Sequence, residues 1–284
     1  MRVAEDVVRC LRERGDLWEV ADGLTALTGA PLQLLHEIER EIAERAVAEC
    51  GREWRPAAAL SLETLARAGY FASFPQWLTM FAHLDGDPCT LERIAESSEP
   101  SAEASRHAAP VAGALSPAVC YHAYARLAGR TIEAPTMVTM QGTCWRHERG
   151  RFAPLEREWA FTMREMICIG EPRHVESFLA RGIAHANALA ARFGVVGEIV
   201  AATDPFFAPT ARGKALLQRV KGLKRELLLP IGGGRSIAAA SFNDHESFFG
   251  EAFDIRLASG EPAATGCVAF GLERWLLAAL TAAP

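Results

Sequence analysis

From Pro31 onward, Leu34, Leu35, Ile38, Ile42 and Ala46 recur at three- and four-residue intervals among charged residues, and this spacing predicts an amphipathic helix. Pro31 suits its first turn and Gly51 its stop. Residues 1–30 read as short helices or a lead-in. A short extended piece around Pro56 leads into another helix, Asp85-Gly86-Asp87-Pro88 marks a turn, and 95–112 reads as a Ser/Ala/Glu/Pro loop. A helix over PAVCYHAYARLAG introduces apolar runs suited to strands at 136–148 and 157–170. A helix at 173–193 separates these from a further run, GVVGEIVAAT. The last third offers ELLLPI, RSIAAASFN and FDIRLA as strands, with a hairpin turn at Gly232-Gly233-Gly234 and CVAFGLERWLLAAL as a closing helix. Neighbouring strands joined by loops, then helices, predict an α+β fold with an antiparallel sheet flanked by helices.

Composition narrows the function classes. Half of the 284 residues are hydrophobic and 23% are charged, as in an ordinary globular protein, and no apolar run reaches the length of a membrane span. The charged N-terminal stretch has no apolar core of the secretory kind, and a cytoplasmic location is the expectation. Seven cysteines without a framework spacing suit reduced thiols or metal ligands better than disulfides. A net charge of −5 argues against a long nucleic-acid partner. One local exception stands out. Between Pro205 and Arg225 lie six basic residues (Arg212, Lys214, Arg219, Lys221, Lys224, Arg225) and no acidic one, either a solvated helix face or a dock for an acidic partner. No Walker loop and no dinucleotide-binding glycine fingerprint is present.

Two arginines carry chemical interest. Arg146 lies in GTCWRHE at a strand end, and Arg274 lies in GCVAFGLERW where a Gly precedes Glu-Arg. Fixed guanidinium groups stabilise charge building on phosphoryl oxygens without proton transfer, although either residue alone would usually be an ordinary ion-pair partner.

The order of these segments resembles the three motifs of class II aminoacyl-tRNA synthetases, and within them the seryl enzymes. QLLHEIEREIAERAVAECGREWRPAAALSLETLARAGYFASFP looks like motif 1, with Pro56 as its proline. CWRHERGRFAPLEREWAFTMRE looks like motif 2 and VAFGLERW like motif 3. The resemblance spans roughly residues 31–284, read as the catalytic domain. It implies ATP binding: Arg146 on the α-phosphate, Glu148 on the adenine amino group, Phe161 stacked on adenine, Arg274 on the other face near the γ-phosphate, and Arg157 at a further motif 2 position. Magnesium would accompany the ATP. Ile237 and Ala240 fall where the seryl enzyme carries its magnesium-binding Glu and Ser, so either the phosphates hold the ion or the register differs there. Glu226, Asn243 and His245 are candidates for the substrate pocket.

The atypical, zinc-dependent seryl enzymes use Cys, Glu and Cys as metal ligands, and Cys120, Glu165 and Cys267 occupy corresponding places. The resemblance therefore implies zinc with an open position for the substrate amine. Cys144 and Cys168 are competitors in segments that look like core strands. The residues before motif 1 are fewer than a tRNA-binding domain takes, and TMVTM and SFNDHESFFG look like the truncated relatives, the amino acid:[carrier protein] ligases. These load glycine or alanine onto the phosphopantetheine thiol of a carrier protein, with tRNA an unlikely partner. The basic run would dock the carrier, and motif 1 would make a homodimer. A tRNA-charging enzyme and a non-catalytic, amino-acid-binding paralogue are the alternatives.

Overall fold

A computed structural model describes residues 3–148, 150–204, 218 and 221–283. Helix α1 (Ala4–Glu13) precedes a hairpin of β1 (Leu17–Ala21) and β2 (Leu24–Leu27), so the first thirty residues hold strands as well as a helix. Val7, Leu11 and Leu17 are buried in the main core cluster. Helix α2 (Gly29–Cys50) buries Pro31, Ile38, Ile42, Ala46 and Cys50, the face that the spacing predicts. It stops at Gly51, whose φ of 67° is left-handed and disfavours a side chain.

Strands β3 (Glu53–Trp54) and β4 (Ala59–Leu60), helices α3 (Leu62–Arg67) and α4 (Tyr70–Ser73), and β5 (Met80–Phe81) follow. Asp87 caps α5 (Pro88–Glu96) by accepting from the Thr90 amide at 2.9 Å. The stretch expected to be a loop holds a second helix, α6 (Pro100–Arg106). Pro100 suits its first turn, and Arg106 donates to Glu103 at 2.8 Å one turn back. Next come β6 (Gly113–Leu115), α7 (Tyr121–Leu127), β7 (Thr131–Ile132), β8 (Thr136–Trp145), β9 (Ala160–Gly170), α8 (Pro172–Arg192) and β10 (Glu198–Ala201). The chain closes with β11 (Lys224–Pro230), β12 (Ser236–Asp244), α9 (Phe248–Phe253), β13 (Arg256–Leu257), β14 (Ala264–Gly271) and α10 (Leu272–Ala282).

Two expectations near the C-terminus are corrected. CVAFG belongs to β14, and the helix starts only at Leu272. Within FDIRLA only Arg256–Leu257 is strand, because Phe253 ends α9 and Asp254 turns the chain at a φ of 53°.

Seven strands form the main sheet in the order β10-β11-β12-β14-β9-β8-β3, antiparallel except where β3 runs parallel to β8. Alternation along β9 and β14 decides what faces the site. Met166, Cys168, Val268 and Phe270 join the core cluster shared with α2, α8 and α10. Ile167, Ile169, Cys267 and Ala269 face the other layer, with Tyr121 and Tyr124 of α7 and Phe249 and Phe253 of α9. Helix α8 lies close on the sheet at Gly182, where a Cβ would come within 2.5 Å of Val268.

Candidate active site

The odd-numbered residues Phe161, Met163 and Glu165 of β9 line a cavity of about 250 Å³. The eleven candidate ATP, substrate and metal contacts all line it: Arg146, Glu148, Arg157, Phe161, Arg274, Glu226, Asn243, His245, Cys120, Glu165 and Cys267.

At one end, Cys120, Glu165 and Cys267 place their donor atoms within 4.8 Å of one another, and all three are buried. The amides of Val119 and Cys120 donate to the two Glu165 carboxylate oxygens at 2.8 and 3.1 Å, which ties the start of α7 to β9. Across the sheet, Asn243 stands opposite Cys267, and its Nδ2 donates to Cys267 Sγ at 3.4 Å. His245 Nε2 lies 3.9 Å from the same sulfur, while its Nδ1 meets the Tyr124 hydroxyl at 3.3 Å and the Thr265 hydroxyl at 3.2 Å. Burial, and then the neighbouring Cys267, push Glu165 up to about 7. Cys267 is held well below the ordinary thiol range by Cys120, which donates to it, with His245 and Asn243 adding to the effect. Two thiols and a carboxylate, buried together and backed by polar neighbours, are donors of the kind zinc takes. Cys144 and Cys168 do not line the cavity; Cys168 points into the helical layer.

At the other end, Arg146 Nε donates to the Pro117 carbonyl at 2.8 Å and Nη2 to Met163 Sδ at 3.7 Å. Its guanidinium carbon stands 5.4 Å from the Phe161 ring centre and 5.9 Å from that of Trp77. Burial disfavours the Arg146 charge, yet Cys144, Tyr70, Glu165 and Glu148 together hold the group above its ordinary value. Arg274 donates from Nε to the Glu156 carbonyl at 2.9 Å and from Nη1 to the Ala238 carbonyl at 3.0 Å, which fixes it between the motif 2 loop and β12. Arg157 pairs with Glu148 at 3.6 Å. Glu273 accepts from the Thr162 amide at 2.9 Å with either oxygen, and burial followed by Glu158 pushes it up to about 7.

Lys224 corrects the reading of the basic run. Its side chain is only 11% exposed and points into the cavity wall, where Nζ pairs with Asp204 at 2.5 Å and Glu226 at 3.0 Å. Lys224 therefore cannot serve as a surface docking charge, whereas Lys221, 45% exposed and paired with Glu246, can. Arg212, Lys214 and Arg219 lie outside the described residues. Period-two alternation back from Glu226 would have put Lys224 on the same strand face; for Asp204 the sequence carries no comparable signal. Ile237 packs in the main core and does not line the cavity, while Ala240 does. The β11–β12 register shifts between Leu227, opposite Ala240, and Leu228, opposite Ala238, which displaces the strand face between Ile237 and Ala240.

No family model matches the chain. Among curated proteins it is similar to two from Bradyrhizobium diazoefficiens, amino acid–[acyl-carrier-protein] ligase 1 (34% identical over 222 residues, 77% of this chain and 68% of that protein) and ligase 2 (36% over 217 residues, 75% and 64%). A type-2 serine–tRNA ligase of Methanopyrus kandleri is 28% identical over 181 residues, 58% of this chain and 34% of that protein. Among solved structures, M. kandleri SerRS in complex with A. aeolicus tRNASec superposes with a TM-score of 0.85 at 22% identity, over 99% of this chain and 58% of that one. The cytoplasmic serine–tRNA ligase of Naegleria fowleri with AMP gives 0.73 at 12% identity, over 97% of this chain and 61% of that one. The sheet is thus that of a class II synthetase catalytic domain, and the chain belongs to the amino acid–[acyl-carrier-protein] ligases, a family of ligase enzymes.

Proposed function

We propose that this chain activates a small amino acid, glycine or alanine, with ATP and passes it to the phosphopantetheine thiol of a carrier protein. The supporting observation is that one cavity joins the Cys120, Glu165 and Cys267 donor set to the Arg146, Phe161 and Arg274 cluster. A substrate with an amine at one end and a carboxylate reaching a phosphoryl group at the other spans such a site.

Cys120, Glu165 and Cys267 would hold zinc, which when bound supplies a Lewis acid for the neutral amine of the substrate. Arg146, pinned by Pro117, would neutralise charge growing on the α-phosphate as the carboxylate attacks and pyrophosphate leaves. Phe161 and Arg274 would sandwich the adenine, with Glu148 accepting from its amino group and Arg157 held beside it. Magnesium would come with the ATP phosphates, since Ile237 and Ala240 offer it no donor. Glu226 and Asn243 would face the substrate. Tyr121 and Phe249, which meet edge-to-face at 5.8 Å, both line the cavity and would leave room there for a short side chain. In the second step the carrier thiol would attack the aminoacyl carbonyl and release AMP. The chain would act in the cytoplasm as a homodimer through its motif 1 segment, and no helix among the described residues is long and apolar enough to cross a membrane.

The acceptor is tested by incubating the protein with ATP, labelled glycine or alanine, and either a phosphopantetheinylated carrier, its apo form, or tRNA. Label retained as a hydroxylamine-sensitive thioester on the phosphopantetheinylated carrier is the expected result; label on tRNA alone would overturn it.

A further inference from the structure

Tyr70 is 3% exposed and lines the cavity, yet its hydroxyl is buried with no hydrogen-bond partner among the described residues. A buried phenol left in this state loses its hydration without return, so such a group in a native cavity wall calls for a partner. The side chain is not free to seek that partner elsewhere. Its ring packs on Phe74 at 5.7 Å and edge-on against Tyr121 at 6.0 Å. Tyr121 follows Cys120 in the chain, and Phe74 in turn stacks on Trp77 at 5.3 Å, whose ring centre lies 5.9 Å from the Arg146 guanidinium carbon. The Tyr70 ring is thus linked through Tyr121 to the metal-ligand set and through Phe74 and Trp77 to Arg146, within one cavity. Burial pushes the Tyr70 hydroxyl up to about 12, so at neutral pH it is a donor.

We infer that the Tyr70 hydroxyl donates a hydrogen bond to a carboxyl oxygen of the bound amino acid and keeps that contact with the acyl carbonyl of the adenylate. The assignment rests on the proposed reaction. The partner must accept; the amine end of the substrate is allotted to the three metal ligands and the adenine to Phe161, Arg274 and Glu148, which leaves the carboxyl and phosphoryl oxygens, and binding of AMP alone separates these two. In the adenylate this carbonyl is the atom group that the acceptor thiol attacks, so the same donor would steady the charge that develops on its oxygen. Tyr70 is then a substrate-touching residue supplied by the end of the motif 1 segment.

The test is Tyr70→Phe, which keeps the ring and removes the donor. Calorimetry on the zinc-loaded wild type and variant would measure binding of AMP and of glycyl- and alanyl-sulfamoyl adenosine, non-hydrolysable analogues that retain the acyl carbonyl. The expected result is an aminoacyl analogue bound about tenfold more weakly by the variant, AMP bound within twofold, and a ligand-free thermal midpoint unchanged or raised. A midpoint that does not fall separates a lost ligand contact from a damaged fold. Analogue binding unchanged within twofold, or an equal loss for AMP and analogue, would overturn the assignment while leaving the proposed reaction standing. A wild type that binds AMP but neither aminoacyl analogue would contradict the proposed reaction itself, and the Tyr70 assignment with it.

Discussion

The amide of Cys120 donates to the carboxylate of Glu165 at 3.1 Å, so one candidate metal ligand holds the backbone of another in place. The neighbouring Val119 amide takes the second oxygen at 2.8 Å. Glu165 is therefore both a candidate ligand for a cation and the brace between the start of α7 and β9.

That double role separates two effects. Glu165→Ala leaves two buried amides without acceptors, and should cost about 2–4 kcal/mol of stability together with the bound zinc. Glu165→Gln keeps an oxygen for one amide and should recover about half of that stability while still losing zinc. Thermal unfolding paired with metal analysis checks this; zinc retained at full stoichiometry by either variant would contradict the ligand assignment.

Arg146 should tolerate even lysine poorly. A lysine keeps the charge but cannot at once donate to Pro117, lie against Phe161 and face a phosphate. Arg146→Lys should lower the rate of amino-acid-dependent pyrophosphate exchange by about 10²–10³-fold. A loss smaller than threefold would remove Arg146 from the chemistry.

Lys221 and Lys224 should behave differently although both belong to the basic run. Lys224→Glu puts a third carboxylate beside Asp204 and Glu226 in a poorly hydrated wall, and should cost about 3–5 kcal/mol and abolish exchange. Lys221→Glu breaks an exposed pair with Glu246, should change stability by less than about 1 kcal/mol, and should leave exchange intact. If Lys221 docks the carrier, only the transfer step should suffer. Unfolding and exchange assays on the two variants read the difference directly.

Glu273 gives the fold a pH dependence of defined sign. Its folded value of about 7 lies above that of an unfolded glutamate, so the folded chain keeps a proton that the unfolded chain releases. The stabilisation is complete below the unfolded value, is lost as pH rises from about 4.5 to about 7, and stays lost above that. Glu273→Gln should flatten the stability profile in that window by up to about 3 kcal/mol, which urea unfolding at several pH values would register. An unaltered slope would show that Glu273 titrates alike in the folded and the unfolded chain.

Much of the site was legible because strands alternate. Phe161 and Glu165 share a face by being four residues apart on one strand, and Cys267 joins them from the adjacent strand β14. The motif order did the rest, bringing Arg146 and Arg274 to the same cavity from segments far apart in the chain. Other features left weaker marks. Cys267–Phe270 is apolar on every residue because both faces of β14 are covered, so the run has no period to tell strand from helix. Helix α6 hides in residues that suit loops equally well. The register shift opposite Leu227 leaves no trace in composition, and Tyr70 reads as one more core aromatic until its hydroxyl is found without a partner.

The most direct measurement is ATP–pyrophosphate exchange across all twenty amino acids, on zinc-loaded protein and after chelation. Exchange with glycine or alanine that disappears on chelation and returns with zinc is the expected result. No exchange with any amino acid in zinc-loaded protein would contradict the activation reaction and leave a chain that binds without catalysing.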